Sequence, residues 1–294
     1  MTPITEVEGR RLALSNLEKV IYPATGTTKG ELLHYYAITA EPLLAHLRDR
    51  PLSFLRYPDG PDGQRFFTKN PPPGTPSWVR VAEVPRSSRE RGEQVVVANL
   101  AGLIWAANLV VEFHTPQWRV EEPARADRMV FDLDPGAPAT VVDCCEVALW
   151  LRGRLGADGL AAYAKTSGSK GLHLLVPLEP TPSAEVSAYA KSLAVEAEAE
   201  LGGLVVHRMA RALRPGKVFV DHSQNAAAKT TATPYTLRAR PAPTVSTPVT
   251  WEEIEECDSP DELVFELDDI AVRLERYGDL LAPLFDPEHA GGLP

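Results

Sequence analysis

Two aspartates separated by one residue, Asp132 and Asp134, lie in the segment Arg128-Met129-Val130-Phe131-Asp132-Leu133-Asp134-Pro135-Gly136. Apolar residues alternate with them, so the segment reads as a strand with both carboxylates on one face and Met129, Phe131 and Leu133 pointing into a core. Carboxylates held that close raise each other's pKa, and the ordinary relief is one or two hard divalent cations with oxygen ligands. Taken alone, Asp-x-Asp is more often a solvated strand end running into a turn. A second segment, Lys165-Thr166-Ser167-Gly168-Ser169-Lys170-Gly171-Leu172-His173, puts glycines, hydroxyls and a lysine between two strands. Such a turn offers backbone N–H groups and a cation to a di- or triphosphate. It lacks the Walker spacing, and a strand follows where a helix should, so a polar hairpin turn is the alternative. His173 by itself would be a half-buried strand histidine. A third segment, Lys217 to Asn225, ends an apolar strand on Asp221. Three strand-end acids and a phosphate-type turn suit an in-line displacement in which two metal ions bridge carboxylates and phosphates.

These groups need a rigid frame, and strand and helix signals alternate through the middle of the chain. Strands are expected over Leu52 to Tyr57, Val110 to His114, Arg128 to Asp134, Ala161 to Thr166 and Leu172 to Leu178, with Lys217 to Asp221 as the last. Thr28 and Glu31 have capping-box spacing and open a helix to about Arg48. Further helices are expected over Val95 to Leu109, Val141 to Leu155 and Ser183 to Leu201. Arg86 to Glu93 has almost no apolar content and reads as a surface loop. Acidic helices are expected over Trp251 to Cys257 and Leu267 to Leu284. The mixture indicates an α/β or α+β sheet architecture.

With 294 residues, 44% of them hydrophobic, the chain can bury a sizeable core. Its net charge of −10 argues against nucleic acid, until the charge is located. Residues 1–240 hold 28 basic and 26 acidic side chains, whereas residues 241–294 hold 2 and 14. The body is therefore near neutral, and Arg86, Arg89 and Arg91, or Arg208, Arg211, Arg214 and Lys217, can form local positive patches. Three cysteines, Cys144, Cys145 and Cys257, give neither a disulfide framework nor metal-ligand spacing. The expected location is the cytoplasm, in association with the nucleoid and without membrane contact.

The ordered motifs resemble the polymerase domain of bacterial ATP-dependent DNA ligase D, within the archaeo-eukaryotic primase superfamily. They are Asn16-Leu17-Glu18-Lys19-Val20 with Tyr22-Pro23, Lys29-Gly30, Arg50-Pro51, Arg56-Tyr57-Pro58-Asp59-Gly60, Phe66-Phe67-Thr68-Lys69, Glu112-x-His114, Asp132-Leu133-Asp134-Pro135, Ser167-Gly168-x-Lys170-Gly171-x-His173, Asp221-x-x-Gln224-Asn225, Lys229-Thr230 and Tyr235 to Arg240. The resemblance covers nearly the whole chain. It implies a primase-polymerase fold of mostly antiparallel or mixed sheets flanked by helices. One domain over 1–294 is expected, with an N-terminal lobe at 1–60, a catalytic core at 61–240 and acidic C-terminal helices at 241–294.

The resemblance also implies roles. Asp132, Asp134 and Asp221 would bind two catalytic ions, manganese or magnesium. Ser167, Lys170, Gly171 and His173 would hold the incoming nucleoside triphosphate, ribo or deoxy, helped by His114 and by Arg238 or Arg240. Lys19 and Lys29 would grip the 5′-phosphate of a gap or broken DNA end, Phe66 and Phe67 would lie against bases, and Arg214 would sit in a loop that helps order the metal site. The implied activity is addition of nucleotides, with ribonucleotides preferred, to a 3′-hydroxyl in non-homologous end joining or related repair. The implied partners are a Ku-type end-binding protein and a separate ligase, with the chain itself a monomer. His222 stands where Trp or Tyr is commoner, and Thr115-Pro116-Gln117 follows His114 in place of a Pro-Trp type of run. No ligase or phosphoesterase module follows Pro294, which leaves open a stand-alone protein or an excised domain. A non-catalytic end-bridging module and a metal-dependent phosphohydrolase are the other readings; the first leaves the acids, and the second the triphosphate turn, without a purpose.

Overall fold

The structure is a computed structural model that describes residues 4–85 and 90–294. Arg86 and Arg89 of the expected basic run lie outside the described residues. The chain forms two compact units, one of residues 1–115, 232–246 and 265–278, the other of residues 116–231, 247–264 and 279–294. Their boundaries do not coincide with the subdivisions at 60 and 240, because the chain after 231 contributes to both.

In the first unit, helices α1 (Lys29–Ile38), α2 (Ala40–Leu47) and α3 (Leu100–Ala107) pack with α7 (Leu267–Tyr277) around a core that includes Tyr36, Leu43, Phe54, Phe113, Leu237 and Ile270. The Thr28–Glu31 capping box forms as expected. The single helix expected to Arg48 is instead two, and Thr39 marks the break, its hydroxyl bonding back to the Tyr35 carbonyl at 2.8 Å. The strand Ser53–Arg56 lies between Phe66–Thr68 and Val111–Thr115, antiparallel to both. Of the loop expected over Arg86 to Glu93, residues 86–89 lie outside the described residues, and residues 91–93 belong instead to the strand Arg91–Val95, which pairs with Val81–Pro85 and also takes the place of the start of the helix expected from Val95. Only Val84, Gln94 and Val95 of the two strands are buried, so the pair carries little apolar patterning. Helix α3 starts only at Leu100, where the Asn99 side chain accepts from Gly102 N–H. Likewise α7 stops at Tyr277, because Gly278 takes a φ of 65° at the helix end.

The second unit is built on a six-stranded sheet in the order Val205–Val206, Val218–Asp221, Arg125–Pro135, Leu172–Pro182, Tyr163–Thr166, Pro248–Val249. Only the first pair is parallel. Lys217 to Asp221 is therefore not the last strand. Helices α4 (Val141–Ala157) and α5 (Ser183–Glu200) cover the face that carries Met129, Phe131 and Leu133. On the opposite face Val130 and Leu175 pack with Leu281, Leu284 and Tyr163. The short helix α6 (Trp251–Glu255) carries Trp251, whose indole donates to the Ala162 carbonyl. No helix among the described residues is long and apolar enough to cross a membrane.

Candidate active site

The acids predicted on one face meet in the middle of the second unit's sheet. Asp132 is the direct cross-strand partner of Asp221 on one side and of His173 on the other, and His173 in turn faces Lys165. Directly opposed residues share a face, so four ionisable side chains from four adjacent strands form one row. His173 Nε2 lies 3.2 Å from Asp132 Oδ1. Asp134 stands in the next row, opposite Phe219. Burial, followed by the charge of Asp132 and more weakly of Asp221, pushes the Asp134 carboxyl up to about 6 against the opposing pull of Lys170 and Arg214. Asp221 is held differently: Oδ1 accepts from the Ser223 N–H at 2.9 Å and hydroxyl at 2.6 Å, and Oδ2 accepts from Gln224 Nε2 at 2.9 Å.

The turn between Thr166 and Leu172 is organised by Ser167. Its N–H donates to Gly171 O, and its hydroxyl accepts from the N–H groups of Ser169 and Gly171, both at 3.2 Å. These two amides, which the sequence offers to a phosphate, thus already have an acceptor. Gly168 takes a φ of 66° at the bend. Gly171 has no room for a side chain, since a Cβ there would come within 2.0 Å of the Leu133 carbonyl oxygen. The turn is thereby seated against the strand that carries the acids, and Lys170 Nζ donates to Pro135 O at 2.8 Å. Arg214 lies over the ring of Phe219 at 3.6 Å and donates to Met209 O, while Gly136 admits its carbonyl so closely that a Cβ would clash at 2.1 Å.

The remaining predicted residues belong to the first unit. Glu112 joins two of them: its Oε2 lies 3.0 Å from His114 Nε2 and accepts from Arg238 Nε at 2.9 Å, while Oε1 accepts from Ala239 N–H at 2.7 Å. Burial opposes its charge, but these partners outweigh that and hold its carboxyl down at about 2. Arg240 is exposed two residues on. Phe66 and Phe67 are both exposed, and the Phe67 ring meets His114 edge-on at 6.3 Å. Lys29 is 6% exposed and donates to Ser15 O, whereas Lys19 is exposed and paired with Asp59 at 2.6 Å. Glu112, Lys165 and Gln224 received no role from sequence reasoning; only their spacing to His114, His173 and Asp221 could have signalled one.

The Glu112 cluster carries a testable stability. Its depressed carboxyl contributes above the ordinary glutamate range, and the contribution is lost as the pH falls from about 4.5 toward 2. Glu112→Gln should therefore cost about 3 kcal/mol at pH 7, by urea unfolding, and almost nothing near pH 2. An equal cost at both pH values would assign the effect to packing.

Among the described residues no group of three or more His, Cys, Asp or Glu side chains is arranged to hold a metal ion. The chemistry of the donor set nevertheless suits one. Three carboxylates supply hard oxygen donors, and burial together with the Asp132 charge disfavours the Asp134 anion, a cost that a bound cation would offset.

Residues 28–281 match the family model described as LigD, primase-polymerase domain. The chain is 43% identical over 278 residues to the multifunctional non-homologous end joining protein LigD of Mycolicibacterium smegmatis, covering 93% of this chain and 36% of the relative. It is 28% identical over 281 residues to the bifunctional non-homologous end joining protein LigD of Bacillus subtilis, covering 94% and 44%. The chain thus spans less than half the length of these relatives. Among solved structures it is similar to the polymerase domain from Mycobacterium tuberculosis ligase D in complex with DNA, with a TM-score of 0.88, 42% identity, and 93% and 98% of the two chains covered.

Proposed function

The chain belongs to the LigD primase-polymerase domain family, and on that premise we propose that it adds nucleotides to a 3′-hydroxyl at short gaps and broken DNA ends, with ribonucleotides preferred. The observation that carries this reading is the row of Asp221, Asp132 and His173 beside Asp134 and the Ser167–Gly171 turn. Asp132, Asp134 and Asp221 would hold two divalent cations, manganese favoured, which would supply Lewis-acid polarisation of the phosphoryl oxygens and an activated 3′-hydroxyl. His173 keeps the Asp132 carboxylate oriented, and the three donors on Asp221 keep that carboxylate aimed. The 3′-oxygen attacks the α-phosphorus and pyrophosphate leaves in line. Lys170 can turn from the Pro135 carbonyl to the departing phosphates, and Ser167, Gly171 and His173 line the same turn. His114 and Arg238, with Arg240, serve the nucleotide, Phe66 and Phe67 the bases, and Lys19 and Lys29 a downstream 5′-phosphate. The names of the relatives support a place in non-homologous end joining; a Ku-type end-binding protein and a separate ligase are the partners proposed for it there.

The test is primer extension on a short-gap duplex bearing a 5′-phosphate, with each ribo- and deoxynucleoside triphosphate and with manganese or magnesium. Insertion of one or a few templated nucleotides is expected, faster with ribonucleotides and manganese. Binding to the gap without extension under any of these conditions would leave only an end-bridging module.

A further inference from the structure

Asp221 ends a strand, and the one-turn helix His222–Asn225 begins directly after it. Every polar side chain of Ser223, Gln224 and Asn225 is committed. Asn225 is 1% exposed; its Oδ1 accepts from Val130 N–H at 2.8 Å, and its Nδ2 donates to the carbonyls of Val130 at 2.7 Å and His222 at 3.0 Å. It therefore clips the turn onto the neighbouring strand two residues before Asp132. Ser223 and Gln224 point the other way, onto the Asp221 carboxylate, with donors on both of its oxygens.

This division of labour separates holding the backbone from aiming the carboxylate. A carboxylate oxygen accepts along two lone-pair directions. Gln224 occupies one direction on Oδ2, which leaves the other available and stops the group from rotating about its Cβ–Cγ bond. We infer that Gln224, with the Ser223 hydroxyl, is a positioning residue for nucleotidyl transfer: it presets the Asp221 carboxylate for a divalent cation, whereas Asn225 serves only to anchor the turn. The inference rests on the reading of Asp221 as a metal ligand.

Outer partners of metal ligands typically change affinity or activity by roughly 10- to 100-fold when removed. Gln224→Met keeps the length and removes the donor. In the DNA-free protein, Mn²⁺ binding followed by the electron paramagnetic resonance signal of free Mn²⁺ should weaken roughly tenfold. Extension should show a comparable fall in kcat with the nucleotide KM little changed. Ser223→Ala should act in the same direction and Ser223→Thr, which keeps the hydroxyl, should restore binding. Asn225→Ala should instead lower the thermal midpoint of the metal-free protein, which Gln224→Met should leave nearly unmoved.

Gln224→Met with wild-type Mn²⁺ affinity and kcat would overturn the inference. So would a loss of thermal stability equal to that of Asn225→Ala with Mn²⁺ affinity per folded molecule intact. Wild-type protein that neither binds Mn²⁺ nor extends a primer, or Asp221→Ala that binds Mn²⁺ as wild type does, would instead remove the underlying reading of Asp221.

Discussion

In metal-free buffer at pH 8, Asp134→Asn is expected to unfold at a higher temperature than the unaltered protein, and with manganese added to extend primers at least roughly a thousandfold more slowly. Both effects come from one charge. The Asp134 carboxyl titrates at about 6 because burial and Asp132 disfavour its anion. An unfolded aspartate titrates near 3.9. The folded state therefore holds its proton more tightly, so stability falls as the pH rises from about 4 through about 6 and stays lower above that. The difference corresponds to about 2 to 3 kcal/mol at pH 8. Asparagine removes the penalty and should raise the thermal midpoint by roughly 5 °C, with the gain fading toward pH 4. Manganese should stabilise the unaltered protein and do so much less for the variant. Asp132→Asn with Asp134→Asn should abolish extension and spare binding to gapped duplex. A variant that is less stable at pH 8 would show that the site's acids are neutralised by some other group, and a double variant that still extends would remove them from the chemistry.

That site was largely legible because a strand with period two leaves no freedom in which face its residues take. Asp132 and Asp134 could be grouped from spacing alone, whereas Asp221 joins them only as another strand-end acid and through the family resemblance. The side-chain partners were less legible, since they depend on register between strands far apart in the chain. Nothing in the sequence says that His173 will face Asp132, that Glu112 will collect Arg238 across 126 residues, or that Ser167 will occupy the amides of its own turn. Local signals worked where the physics is local, as with the Thr28–Glu31 box. They failed where pairing substitutes for hydrophobic patterning, as in the hairpin ending at Val95, and where one residue such as Gly278 overrides a continuing periodic pattern. The interleaving of the two units after residue 231 has no signature in composition.

Lys29 shows how burial turns an ordinary-looking residue into a specific one, and it sets the second large expectation. Lys19→Ala with Lys29→Ala should reduce the preference for a 5′-phosphorylated gap over an unphosphorylated one from roughly 10- to 100-fold to about unity, measured as the ratio of dissociation constants. Lys29 N–H donates to the Lys19 carbonyl, so the two residues are joined through the backbone. Burial first, and then the charge of Lys19, lower the Lys29 pKa. A phosphate dianion would relieve the second cause and give a buried ammonium the counter-charge it lacks. The sign follows: with no phosphate bound, Lys29 loses its proton at a lower pH than a solvated lysine, so the phosphate preference should fade on raising the pH before an ordinary lysine would titrate. Lys19 is held by Asp59 at 2.6 Å and must leave it to reach a phosphate. Asp59→Asn should accordingly increase the preference, since it frees the cation without adding a contact. Equal losses on phosphorylated and unphosphorylated gaps in the double variant would mean that the two lysines serve the fold or the duplex backbone in general. Lys29→Met, which fills the same space without charge, separates those two outcomes by keeping the packing and removing only the ammonium.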